Sequence, residues 1–425
     1  MTADDAPKPC PMPSAHRRLM ECHAQWHLLH EAYFDPHGFR LNLNALLQNL
    51  RNVTWLIQKQ KSELPGFDDW YPRFTDSAGK DPLMRWSVRS RNRITKEADL
   101  ELLSHMRIVW HQDWLQRVIG TSSEYPPRLS IREVVTDIMR RYRPPFGTMT
   151  VQRRWVDKEL PDWELLDATG AVYSRLEALL AEGHSAAGVT LCDLESHIQE
   201  CVTASLSRSG ARALCMFTAK DDLEAHFDLV SGAEIEQLSS VFERDDELAA
   251  ESAERYGGQL QLPLGDAIES VPGYLNVART LMESDGDHGT FAFLFRGALR
   301  VGLTHLVFDS QSAKMLAFEK LASQAKARDA DGVLVVSEAW FAVPTKREKD
   351  LGTFFFPARD RLDRRESLVV QAVTRDGRVA SQACIVTREA DGRTVCSEPS
   401  DVECDMPNTF MPIIRMWKEL DSMGS

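Results

Sequence analysis

The chain has 425 residues, of which 43% are hydrophobic and 27% charged, and its formal net charge is −13. That length exceeds what one hydrophobic core supports, so two domains are expected. The acidic balance excludes broad, non-specific nucleic-acid binding but not a local basic site, and no window approaches the ~18 uninterrupted apolar residues of a membrane span.

The N-terminal stretch "MTADDAPKPCPMPSAHRR" is proline-rich and has no apolar run, so it reads as a disordered lead, residues 1–14, rather than a secretory signal. A first helix follows from Ser14 to a "DPHG" turn at Asp35. In "LNLNALLQNLRNVTWLIQKQK", Leu43, Leu46, Leu47, Leu50, Val53 and Ile57 recur at helical spacing and define one apolar face. Asp81 and Pro82 open another helix as N-cap and first helical residue. A further helix is expected near Asp99, and one at Ser130, where "SIRE" forms a capping box. Two more, "DWELLDATGAVYSRLEALLAEG" and "TLCDLESHIQECVTASLSR", complete a first half, residues 15–210, that reads as an all-α bundle without a convincing strand.

Residues 211–425 change character. "ARALCMFTA" and "GTFAFLFRGALRVG" each read as a buried strand, with helical patterns between them. "SAKMLAFEKLASQAKARDADG" is a helix, and "VLVVSEAWFAV" is a strand rich in β-branched and aromatic residues. "ESLVVQAVTRDGRVASQACIVTREADGRTVCSE" alternates and carries turns at Asp376-Gly377 and Asp391-Gly392, which predicts a three-stranded antiparallel meander. The fold class expected is therefore α+β and multidomain: an N-terminal all-α bundle, then an α+β domain with a largely antiparallel C-terminal sheet.

The stretch "SRNRITKEADL", Ser90 to Leu100, ends a basic helix. Arg85, Arg89, Arg93 and Lys96 line one face, where like charges repel unless acids, water or phosphate compensate them. Arg85, Arg89 and Arg93 are thus candidate RNA- or phosphate-binding residues. "WSVRSRNRITKEADL" resembles the HEPN superfamily of small helical bundles, often dimeric, many of them metal-independent ribonucleases with an Arg-polar-x-x-x-His motif and others non-catalytic partners of nucleotidyltransferases. The resemblance covers residues 15 to 160. It implies Arg91 as the family arginine and Asn92 as the polar residue, and it makes a homodimer an expectation. Lys96 stands where the histidine would be. Histidine, with a pKa near ~6.5, exchanges a proton near neutral pH, whereas lysine near ~10.4 stays charged and serves better to hold phosphate.

His23, His27 and His30 share a helical face, but no acid completes a metal pattern and a polar or packing face is the plainer reading. Glu338 ends an apolar strand, so an arginine from "PARDRLDRRESL", Arg364 among them, is expected to pair with it. The sharper alternative gathers Asp331, Glu338 and Glu366 around a divalent metal. The eight cysteines, Cys10, Cys22, Cys192, Cys201, Cys215, Cys384, Cys396 and Cys404, form no Cys-x-x-Cys and read as small buried side chains in a reducing, cytoplasmic setting. No metal and no cofactor is therefore expected, and phosphate-loop, Gly-x-Ser-x-Gly and His-Glu-x-x-His motifs are absent. The leading expectation is a cytoplasmic interaction or regulatory protein whose bundle binds RNA, a nucleotide or a protein partner. The alternatives are the ribonuclease that the resemblance implies, of a toxin or phage-defence kind, and an enzyme seated near Glu338.

Overall fold

The computed structural model describes residues 7–111, 117–142, 147–194, 216, 223–235, 246–256, 260, 263–343, 345–351, 358–402 and 407–424. The expected boundary near residue 210, the strand "ARALCMFTA" apart from Met216, and Cys201, Cys215 and Cys404 lie outside those residues. The fold is α+β, and the chain divides into two compact units. One comprises Met1–Trp110, Val118–Pro145 and Met149–Gly232; the other comprises His111–Arg117, Phe146–Thr148 and Ala233–Ser425.

In the first unit, α1 (Pro13–Glu31) and α2 (Pro36–Lys59) are joined at Asp35. The "DPHG" stretch is a helix start: Asp35 accepts from the amides of His37 and Gly38, and Pro36 fills the first position. All six of the predicted apolar residues of α2 are buried. After α3 (Phe67–Lys80) comes α4 (Pro82–Lys96), capped by Asp81 through the amides of Leu83 and Met84 as the sequence predicts. These helices share a core with α6 (Leu165–Ala186).

The helix expected near Asp99 is instead a strand, β1 (Leu102–His111). It joins β2 (Arg117–Tyr125), β3 (Thr148–Asp157) and β4 (Glu224–Asp228) in a sheet ordered β2-β1-β3-β4. Leu102, Leu103 and Met106 can sit on a helix face or in a strand; burial of Met106 and Ile108 against the sheet's helix decides for the strand. That helix, α5 (Ile131–Tyr142), begins with the predicted capping box. Ser130 N donates to Glu133 Oε2 at 2.7 Å, and Glu133 N donates to Ser130 Oγ at 3.3 Å.

The second unit opens, within the described residues, with α7 (Asp246–Tyr256) and α8 (Val271–Asp285). Its sheet joins β5 (Phe291–Arg296), β6 (Leu299–His305), β7 (Gly332–Phe341), β8 (Arg365–Thr374), β9 (Val379–Arg388) and β10 (Thr394–Cys396) in the order β10-β9-β8-β7-β5-β6, with β11 (Ser400–Asp401) paired to β9. "GTFAFLFRGALRVG" is two strands, β5 (Phe291–Arg296) and β6 (Leu299–His305), because Gly297 turns the chain at φ +56°. After α9 (Gln311–Ala327) comes the central strand β7 (Gly332–Phe341), then a short helix, α10 (Lys346–Leu351). β8 (Arg365–Thr374), β9 (Val379–Arg388) and β10 (Thr394–Cys396) form the predicted antiparallel meander, and α11 (Met411–Gly424) follows.

Alternation along β7 explains its unbroken apolar run. Leu334 and Val336 enter the core beneath α8, while Val333 and Val335 enter the opposite core with α9 and α11. A strand covered on both faces has no polar side to show. Tight seating of α8 leads to a test. A Cβ on Gly273 would lie 2.6 Å from Pro263 Cβ and 2.7 Å from its Cγ. The rigid ring cannot yield, so Gly273→Ala should forfeit its helix-propensity gain and destabilise by a net ~1 kcal/mol. A urea midpoint at or above wild type would refute that seating.

Candidate functional site

Among the described residues, the first unit carries a cavity of about 400 Å³. Its wall is built by four helices. Leu50, Thr54 and Gln58 come from α2, Tyr71, Phe74 and Ala78 from α3, Met84 and Val88 from α4, and Val172 and Leu176 from α6. Helical spacing brings Leu50, Thr54 and Gln58, and likewise Met84 and Val88, to one side of their helices, from buried residues out to the exposed Gln58 and Val88. Arg51, Arg85 and Arg89 also line it and bring positive charge to a mostly apolar hollow. Gln58 Nε2 donates to Tyr71 Oη at 2.9 Å, fixing the aromatic ring, and burial raises the Tyr71 phenol above its ordinary range while the Gln58 contact moderates the rise.

The predicted basic face of α4 is divided. Arg93 pairs with Glu101 at 2.7 Å and lies 3.6 Å from Glu159, and Arg89 also lies 3.6 Å from Glu159. Acids just before β1 and in the turn after β3 therefore offset this end of the stripe. Arg85 is exposed and has no ion-pair partner among the described residues. Arg91 donates to its neighbour Asn92 at 3.1 Å, and Lys96 is exposed at the helix end. The structure thus brings Arg85 and Arg89 to the cavity and leaves Arg91, Asn92, Arg93 and Lys96 outside it.

The other predicted residues are dispersed. Glu338 is exposed on β7 and accepts the His288 amide; burial of its carboxyl and the nearby Glu366 raise its pKa, while the amide contact and Arg388 oppose the rise. Glu366 pairs with Arg388 at 2.6 Å. The arginine that enters a buried pair is Arg361, whose Nη1 reaches both carboxylate oxygens of Glu348 at 2.8 Å, whereas Arg364 lies over the Trp340 ring at 4.8 Å. Asp331 is engaged with the Gly297 amide, so the three acids form no ligand group among the described residues. His23 and His27 meet edge to face at 4.8 Å, and His30 stacks on Trp26. These three histidines form no ligand group among the described residues either, and burial lowers the His23 pKa to about 4.

The sequence profile described as "Bacteriophage lambda protein ea47" matches residues 4–422. The chain belongs to the phage lambda Ea47 family. Protein ea47 of Escherichia phage lambda is 28% identical over 324 residues, covering 73% of this chain and 75% of its own. No solved structure matches. Membership in the Ea47 family over nearly the whole chain corrects the HEPN likeness, on which the ribonuclease expectation rested. The fold agrees: after α4 the chain enters the strand β1, where a helical bundle would continue with another helix.

Sequence reasoning missed the aromatic wall, Tyr71 and Phe74, because α3 carries Pro72 and a mixed pattern. It also missed Cys10, His16, His184 and Cys192, whose ligand atoms all lie within 4.8 Å of one another. Among the described residues, no helix is long and apolar enough to cross a membrane.

Proposed function

We propose that this Ea47-family protein is a phage regulatory or interaction protein that works by binding a nucleotide in the cavity of its helical bundle. The observation that carries this reading is the pairing of an apolar, aromatic-walled hollow with Arg85, whose guanidinium is not neutralised within the described residues. A volume of about 400 Å³ falls within the range of small-ligand sites. Tyr71 and Phe74 offer ring faces to a base, Gln58 and Thr54 offer polar groups to its edge, and Arg85 suits a phosphate, with Arg89, which also faces Glu159, beside it. RNA and protein partners are less well served, since Glu101 and Glu159 offset the rest of the basic face.

Titration calorimetry with the mononucleotides at low salt tests the reading. Arg85→Ala should weaken binding by about tenfold, or ~1.4 kcal/mol, and added salt should weaken wild-type binding more than the variant's. Wild type that takes up none of the nucleotides at millimolar concentration would end the proposal, as would an Arg85→Ala, Arg89→Ala double variant that binds like wild type.

A further inference from the structure

Four metal-ligand side chains converge in the first unit, well outside the arginine-lined cavity. Cys10 lies on the N-terminal stretch and His16 one turn into α1; His184 is in the last turn of α6, and Cys192 follows that helix. Backbone hydrogen bonds hold the two halves together. Lys8 N donates to Leu191 O, and Asp193 N to Lys8 O, each at 2.9 Å. His16, His184 and Cys192 are each more than nine-tenths buried.

Their spacing fits a tetrahedral ion. Bonds of about 2.3 Å to sulfur and about 2.0–2.1 Å to nitrogen put adjacent S and N ligand atoms about 3.5–3.6 Å apart. Cys10 Sγ lies 3.6 Å from His16 Nδ1 and 3.4 Å from His184 Nε2, and Cys192 Sγ lies 3.6 Å from the same His16 nitrogen. One imidazole nitrogen equidistant from two sulfurs is poorly explained by a single S–H···N bond, but it is what a shared centre requires. The outer contacts agree. His184 Nδ1 lies 2.7 Å from Leu180 O, which holds the proton on Nδ1 and leaves Nε2 free to ligate. The Cys10 amide donates to Asp193 Oδ1 at 2.9 Å, fixing the loop that carries the thiol.

We infer that Cys10, His16, His184 and Cys192 form a closed Cys2His2 site for Zn²⁺ that fastens the N-terminal stretch and the start of α1 to the end of α6. Two thiolates and two imidazoles are a donor set for a borderline-soft divalent ion, and four protein ligands leave no open position for catalysis. The ion therefore stabilises the unit rather than reacting. Sequence inspection misses it because the pairs are Cys-x5-His and His-x7-Cys, far apart in the chain, and neither matches a finger or ribbon spacing.

The test uses the full chain, produced with added Zn²⁺ and kept in reductant. Elemental analysis should find about one zinc per chain, and Co²⁺ in its place should give the intense visible bands of a tetrahedral thiolate complex. Chelation should lower the melting temperature by roughly 5 °C or more, reversed by Zn²⁺ alone. Cys192→Ser and His184→Ala should each lose most of the metal. If these variants fail to fold, the Co²⁺ spectrum of wild type decides alone. Wild type that takes up neither ion in reductant overturns the inference, and so does zinc that persists near one per chain in a Cys10→Ser, Cys192→Ser double variant. A Cys10–Cys192 disulfide that, once reduced, still yields no metal binding would also overturn it.

Discussion

Trp86→Ala is expected to lower the unfolding free energy of the first unit by ~4 kcal/mol or more, the largest loss among these variants. Trp86 is fully buried on α4, among the largest side chains in the core of the helical bundle. Emptying so large a site in a packed core costs ~3–5 kcal/mol. Its indole N–H also donates to Asp157 Oδ2 at 2.8 Å, and Asp157 is itself buried at the end of β3. Removing the donor leaves a desolvated carboxylate oxygen short of a partner, at ~1–3 kcal/mol. Trp86→Phe separates the two contributions, since it keeps most of the volume and loses only the donor. It should therefore sit between wild type and Trp86→Ala in a urea titration. Equal losses in the two variants would sink the assignment to cavity formation. Trp86 immediately follows Arg85, so the same anchor sets how α4 presents its guanidinium to the cavity, and ligand binding should fall in the order of the stability losses.

Glu177→Gln should gain stability relative to wild type as the pH rises from about 4.5 to about 7. Glu177 lies on α6, with Oε2 buried and without a hydrogen-bond partner among the described residues. Burial lifts its carboxyl from the ordinary 4.5 to about 7. The folded chain then keeps the proton up to about pH 7, whereas the unfolded chain releases it near 4.5. Between those values unfolding releases a proton, so rising pH favours unfolding, and the full penalty is present above pH 7. Each pH unit between the two values is worth about 1.36 kcal/mol, and partial solvent contact of the side chain reduces the whole to ~1–2 kcal/mol. Glu177→Gln should thus match wild type near pH 4.5 and exceed it at pH 8. Parallel stability curves for the two proteins across that range would refute the account.

The legible parts of the fold are those written locally. Asp81-Pro82 and Ser130-x-x-Glu133 mark helix starts through bonds within three residues. Asp376-Gly377 and Asp391-Gly392 mark turns because each glycine takes a φ near +90°, at +90° and +87°. The illegible parts depend on partners far along the chain. β1 reads as a helix by spacing, and only its place between β2 and β3 makes it a strand. The exposed end of β7 shows the same limit. Glu338 reads as buried because the run before it is, but burial ends at Val336, and the arginines of the following loop find Glu348 and a tryptophan ring instead. Of the basic face, the charge pattern is visible in the sequence, but the acids that offset half of it come from just before β1 and from the turn after β3. Arg85 and Arg89 stand at the cavity only because α2, α3 and α6 supply its other walls.

The hydrogen bond from Cys10 to Asp193 joins positions 183 apart. A ribosome adding about 5–20 residues per second needs about 10–40 s to make the intervening chain. For more than half of that interval α1 and α2 have been made but α6 has not, so the apolar residues that face it, Trp26 and Leu50 among them, have no permanent cover. The nascent bundle is thus a sticky intermediate for longer than a small domain needs to fold, and the first segment synthesised is among the last to find its place. Overproduction in the cell should be limited by how well that interval is chaperoned, and slowing translation beyond residue 193 should do less harm than slowing it before.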